Sequence, residues 1–529
     1  MPSKTTIKPV EATGFSKTFN KIFNLRNHFT AATIVLGSAL VPMNDAKAAS
    51  LTLTAADSWG DGDSGVLNAG IANDNVDVDG FVMTINKASD IGAITDSDTN
   101  NRNDSGDVLI TSAVADADFA VTIASQTSEG LTNITTLDAD NSTMTVTYEG
   151  AFDTNQTLNI ESTEDNTSDT LTVNFDGNAT TVGAITVIAD GDGAGVGSNV
   201  FVNIKGNLVN GADSTLNDNA GGLSTLTFNG TGAQAASKEI AGAAAGEGTI
   251  INANTGNTVT FTEELGKTNE LLALTHNTGS TTVHSLAVDA VTLTSAGTET
   301  YTVGLLKATT INKTAGTINV DAQNGGDSIT NLAGSGLADL NMSASTVVNM
   351  SIASGETTNL EATIDGTADG EGTLNIFNTD AGAAGVVTSK GIIGGSSKLA
   401  AINIGKTTVA GNVDFTAAAT VDGAITLIGG DSGNENSIID AGASLTAGSI
   451  VLNTASTGDA TLTGTADVTI TGVVDKTGAG AGEAIVSITA NETTFVNNIG
   501  GTTALDDIAI ATAGTIKAQS DVKATLTTL

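Results

Sequence analysis

The chain of 529 residues carries 58 acidic against 19 basic side chains, a formal net charge of −39, and no cysteine. So acidic a surface lacks the basic footprint that nucleic-acid phosphates require, and an anionic membrane surface repels it. With no disulfide available, the fold must rest on burial and backbone pairing alone.

Lys4, Lys8, Lys17, Lys21 and Arg26 form a basic opening, and an apolar run from Phe29 to Met43 follows it. Ala46-Lys47-Ala48 then supplies a small-x-small cleavage signature. This order reads as a secretory signal peptide over residues 1–48, cleaved between Ala48 and Ala49. The apolar run is too short and too interrupted for a comfortable membrane span. The chain is therefore expected outside the cell, on a bacterial surface. Six basic and two acidic residues fall in this leader, so the remaining 481 residues hold 19 − 6 = 13 basic and 56 acidic side chains, a net charge of −43. That balance favours solubility and association with divalent cations, at a cost in self-repulsion. Pro2, Pro9 and Pro42 are the only prolines, and all precede residue 49.

Residues 49–162 carry Trp59 and the densest Asp/Asn loops, and they lack the repeats found further on. They are expected to form a β-rich cap, because the open end of a stacked structure exposes unpaired strand edges. Short runs of alternating residues appear throughout the chain: Thr143 to Tyr148, Leu171 to Phe175, Val200 to Ile204, Leu226 to Phe228. Successive side chains on a strand point to opposite faces, so each run offers one apolar face and one Thr/Asn face. Gly, Asn and Asp between the runs supply turns. Acidic, Gly-rich, aromatic-poor chains are often disordered, but here Val, Ile, Leu and Thr are evenly spread, which favours a folded all-β chain.

Two architectures fit: a parallel β-solenoid, or tandem β-sandwich modules. Sandwiches lean on buried Trp or Tyr and on loop prolines, whereas Trp59, Tyr148 and Tyr301 are the only such aromatics here. A solenoid needs tight turns and stackable Asn and Thr, and it excludes proline because each stacked turn uses every N–H. The solenoid is the better fit, with roughly 20–25 residues expected per turn.

The chain also repeats itself. Val173 to Gly193 and Val413 to Gly433 match at ten of twenty-one positions without a gap. Gly242 to Glu247 matches Gly478 to Glu483, and Thr260-Phe261 matches Thr494-Phe495, in the same order. A shorter motif, [IL]-G-x-[ST]-x-x-L-x-x-[IL], occurs at Leu265–Leu274, Ile393–Ile402 and Ile499–Ile508. It reads as strand, Gly turn, then a second strand whose Leu and Ile enter the core. Such recurrence marks a repeat architecture: a first solenoid unit over 163–404 and a second, partial one over 405–529.

This motif, its Thr/Asn/Gly-rich background and the long leader resemble the passenger regions of rickettsial-type outer membrane protein B and related surface cell antigens. The resemblance covers roughly residues 165 to 529 and rests on repeat style. It implies an autotransporter: a β-solenoid passenger that coats the cell surface, acts as an adhesin, and is tethered by a C-terminal β-barrel. No run of amphipathic strands with aromatic girdles lies before Leu529. Attachment is therefore expected through a longer protein or by other means. Neighbouring copies of the chain, or ligands on host or environmental surfaces, are the expected partners.

Catalytic signatures are absent. There is no Gly-x-Ser-x-Gly elbow, no His-Glu-x-x-His and no phosphate loop, and His276 and His284 lie on Thr/Asn-rich sequence read as solvent-facing strand. An enzyme is not expected. The alternatives are a solenoid polysaccharide-degrading enzyme, recognisable by carboxylates with a basic neighbour on one strand face in a groove, and a calcium-organised surface-layer subunit. Calcium takes six to eight oxygens, and alternating Asp in a tight loop supplies several. Asp61 and Asp63, and Asp190 and Asp192, are the candidate ligands. The latter pair is the better one to test, because Gly430 and Ser432 replace it in the second unit while Asp431 between them keeps one carboxylate.

Overall fold

The computed structural model describes residues 107–111, 119–128, 130–136, 143–154, 156–162, 169–190, 197–276, 338–353, 355–379, 385–433, 435–489 and 491–528, together with strands between 50 and 95 and between 280 and 330. The expected leader, Asp61, Asp63, Asp192 and His284 lie outside the described residues. The fold is a parallel β-solenoid. Among the described residues there is no α-helix, and the only helical element is a single 3-10 turn at Asn219–Gly221. The chain comprises two compact units, divided between Leu226 and Thr227.

In the first unit one turn of the solenoid uses three strands. Thr143–Tyr148, Phe152–Thr154 and Thr157–Ser162 form one turn; Thr170–Phe175, Ala179–Val182 and Ala184–Ala189 form the next. Each strand pairs in parallel with its successor: Met144 with Leu171, Phe152 with Thr180, Leu158 with Ile185. Thr147 and Asn174, partners across one such turn, are 27 residues apart in sequence. The turn is longer than expected from the sequence because it needs three strands and the corners between them. Turn length varies in the second unit: Thr281 pairs with Glu299 across a short turn, and Asn319 with Asn349 across one of 30 residues. The duplicated segment folds alike in both units: Val173, Phe175, Ile185 and Val187 are buried, as are Val413, Phe415, Ile425 and Leu427.

Alternation decides which side chains enter the core. The strand Thr170–Phe175 buries Leu171, Val173 and Phe175 and turns Thr170, Thr172 and Asn174 outward. Because equivalent residues stack at strand spacing, outward amides reach one another from turn to turn. In the first unit Asn159 donates to Asn133 (2.7 Å), Asn174 to Thr147 (3.2 Å) and Asn203 to Asn174 (2.9 Å). In the second, Asn349 donates to Asn319 (2.8 Å), Asn375 to Asn349 (2.8 Å) and Asn403 to Asn375 (2.9 Å). The expected Asn/Thr ladders are present in both.

Inside the first unit the same stacking assembles an aromatic cluster. Tyr148 and Phe175 are in register and lie parallel, with centroids 5.2 Å apart, while Phe152 meets both edge-on at 4.7 and 5.1 Å. The Tyr148 hydroxyl is fully buried without a hydrogen-bond partner, and burial drives its pKa well up. Replacing a buried, unpaired hydroxyl with hydrogen removes a desolvation penalty. Tyr148→Phe is therefore expected to leave the urea midpoint unchanged or raised. Tyr148→Ala opens a cavity and is expected to cost about 3–5 kcal/mol.

Candidate functional site

The short motif is a local device, and all three copies build it in the same way. Its first residue makes an isolated parallel bridge to the turn before: Leu265 to Ile240, Ile393 to Ile364, Ile499 to Val474. The glycine that follows lies in the left-handed region, with φ of 67° at Gly266, 67° at Gly394 and 65° at Gly500. A Cβ on Gly394 would stand 2.0 Å from the Thr420 carbonyl oxygen, so both conformation and space demand glycine.

The left-handed glycine turns the next backbone N–H groups toward one point, and a carboxylate from the preceding turn occupies it. Asp365 Oδ1 accepts from the Ser396 and Ser397 N–H groups at 3.0 and 3.4 Å. Asp475 accepts from Thr502 N–H through Oδ2 (3.0 Å) and from Thr503 N–H through Oδ1 (2.8 Å). Glu239 accepts from Thr268 N–H at 2.6 Å and from its hydroxyl at 3.1 Å. Each acid sits beside the bridging residue, on the C-terminal side for Asp365 and Asp475. Glu239 reaches from the N-terminal side with its longer chain. The motif is a carboxylate staple between successive turns.

After the staple the strand departs from strict alternation. In Leu271–His276, Leu399–Ile404 and Leu505–Ile510 the leucine points inward, the next two residues do not, and the fourth points inward again. This two-residue step is what the L-x-x-[IL] spacing encodes. It also carries His276 into the interior, only 1% exposed and in register with the buried Asn252. The solvent-facing reading of His276 is thereby corrected: regular alternation from Leu271 would have placed it outside.

A further similarity links 240–250 with 364–374, where seven of eleven residues are identical, including the Gly-Glu-Gly-Thr run. Gly246 and Gly248, and Gly370 and Gly372, share φ values of 76–81°. That run is the sequence signal for a third copy of the repeat, which matching the two longest segments alone does not reveal.

Of the candidate calcium ligands, Asp190 alone lies within the described residues. It follows the strand Ala184–Ala189 and its Oδ1 accepts from the Asn219 amide at 2.9 Å, one turn further on. In the second unit the corresponding loop is folded around Glu435, which is 1% exposed. Gly430 N–H donates to its carbonyl, and Ser432 N–H donates to its Oε2 at 3.2 Å. The sequence comparison of Gly430 and Ser432 missed this acid because it lies beyond the aligned segment. Among the described residues no three His, Asp or Glu side chains converge as a metal-holding group.

Basic residues are mostly engaged. Lys476 bonds both Asp506 oxygens at 2.8 Å, and Lys205 pairs with Asp176 at 2.8 Å. Lys406 lies 3.1 Å from the centroid of the Phe377 ring, and burial lowers its pKa. Asp467, Val468, Thr469, Glu492 and Thr494 line an open depression. There Asp467 Oδ1 accepts from the Glu492 N–H at 2.9 Å and Lys517 Nζ lies 3.8 Å from the Glu492 carboxylate, so a carboxylate pair with a basic neighbour does border one groove. Comparison with protein-family models, curated proteins and solved structures found no match.

The staple gives a direct stability prediction. Asp365 is 9% exposed, so Asp365→Ala removes its charge-assisted hydrogen bonds to the partly buried Ser396 and Ser397 N–H groups and is expected to cost about 1.5–3 kcal/mol. Gly394→Ala, which meets backbone as well as an unfavourable φ, is expected to cost at least as much. Urea unfolding of the two variants checks both values.

Proposed function

We propose that this chain is a structural component of a bacterial cell surface, an autotransporter-passenger-like or surface-layer-like solenoid that forms a coat or stalk and mediates adhesion. The observation that carries this reading is where the reactive groups are used. Asp365, Asp475 and Glu239 hold backbone N–H groups of the next turn, and the amide columns bond to one another. These three carboxylates are spent on joining turn to turn. What remains on the side walls is Thr, Asn and Ser with net negative charge, a surface suited to hydration and to broad, weak contacts.

The basic-then-apolar leader supports export, and the resemblance to surface cell antigen passengers supports the same location. Partners would be neighbouring copies or ligands on other surfaces.

Protease treatment of intact cells tests the location. The chain is expected to be digested while a cytoplasmic marker survives, and protection equal to the marker's would refute it. A parallel wash with a calcium chelator separates modes of attachment. Retention of the chain is expected for a covalently anchored passenger; release identifies a calcium-organised layer.

A further inference from the structure

One ladder of the second unit runs through the strands Thr357–Leu360, Val386–Ser389, Asn412–Phe415, Ser437–Ala441, Ala460–Gly464 and Ala484–Ile488. These six strands contain just two charged residues, Asp414 and Asp440. The two are directly in register on adjacent parallel strands, which sets their backbones about 4.8 Å apart with both side chains on the outer face. Both are half-buried, and Asp440 Oδ1 is closed off from solvent without a hydrogen-bond partner.

Among the described residues nothing cationic faces them. Their stacking neighbours are Thr388 on one side and Thr463 on the other. Of the other strands packed against them, Ala424–Ile428 is uncharged, and Glu371–Asn378 brings only Glu371, whose carboxylate accepts from Thr367 and Ala368. Lys390, just past Val386–Ser389, is 2.7 Å from Glu361. Two carboxylates held this close, partly shielded from water and without a cation, do not both ionise readily, because the charge on one raises the cost of charging the other.

We propose that Asp414 and Asp440 form a proton-sharing dyad, which makes this stretch of the solenoid firmer in mild acid than at neutral pH. Burial, and then the charge of Asp440, pushes the Asp414 carboxyl above its ordinary value, the direction such a pair requires. A carboxyl whose folded pKa lies above its unfolded one stabilises the fold while protonated. That contribution is lost as pH rises through the folded pKa.

Asparagine copies the shape of the protonated acid, so the test compares the full chain with Asp414→Asn, Asp440→Asn and the double variant by thermal unfolding across pH. At neutral pH each single variant is expected to melt higher than the parent. The double variant should gain little more than either single one, because one substitution already removes the repulsion. The gain should shrink toward zero as pH falls below the raised folded pKa of Asp414, where the parent's pair already holds its shared proton. A gain independent of pH, additive singles, or single variants that melt lower at neutral pH would each overturn the dyad. Calcium added to the parent in a parallel scan is expected to shift it no more than the double variant. A calcium-dependent rise confined to the parent would assign the pair to a cation instead.

Discussion

Everything in this molecule depends on parallel stacking of like on like. Each strand pairs with the strand one turn before and one turn after, so a residue's chief neighbours are the residues at its own position in adjacent turns. Inward positions accumulate into columns of Val, Ile, Leu and Phe, and outward positions into columns of Thr and Asn. The constraint is unforgiving of charge. A carboxylate placed in a column must find N–H groups, as at the staples, or a lysine of the adjacent turn, as Asp176 finds Lys205, or meet a neutral neighbour, or face another carboxylate, as Asp414 faces Asp440.

The staples show how a solenoid of varying turn length keeps register. Turns as unequal as those joining Thr281 to Glu299 and Asn319 to Asn349 would let strands slip if hydrogen bonding between similar extended chains were the only guide. A left-handed glycine whose neighbouring N–H groups require an anion at one point fixes the alignment locally. The two-residue step that follows then resets which side chains face inward. In the first two copies, glycines of positive φ at Gly248 and Gly372 lie on the preceding strand, where pairing skips one residue on each side.

The fold was legible because period-two alternation and the lack of proline are properties of single strands, visible without knowing what each strand meets. Runs such as Thr143 to Tyr148 and Leu171 to Phe175 named the buried face correctly. The motif was legible as a repeat, but its purpose was not. Glu239, Asp365 and Asp475 each stand a full turn before the N–H groups they hold, and only the turn length brings them together. His276 was misplaced for a related reason: the step after Leu271 is local, yet its effect on facing shows only against Glu247–Asn252. The Asp414–Asp440 pairing, between side chains a full turn apart, was invisible until the register was known.

The amide column of Asn319, Asn349, Asn375 and Asn403 has a consequence for how such a chain can change over generations. Asn349 and Asn375 each bond in both directions, whereas Asn403 bonds along the column only to Asn375. A substitution at Asn403 forfeits one such bond, and one at Asn349 or Asn375 forfeits two. Drift should therefore erode the column from the Asn403 side sooner than from its middle. New columns should grow by adding one asparagine beside an existing one, so that ancestry is recorded in the lengths of the columns as well as in the identity of the residues.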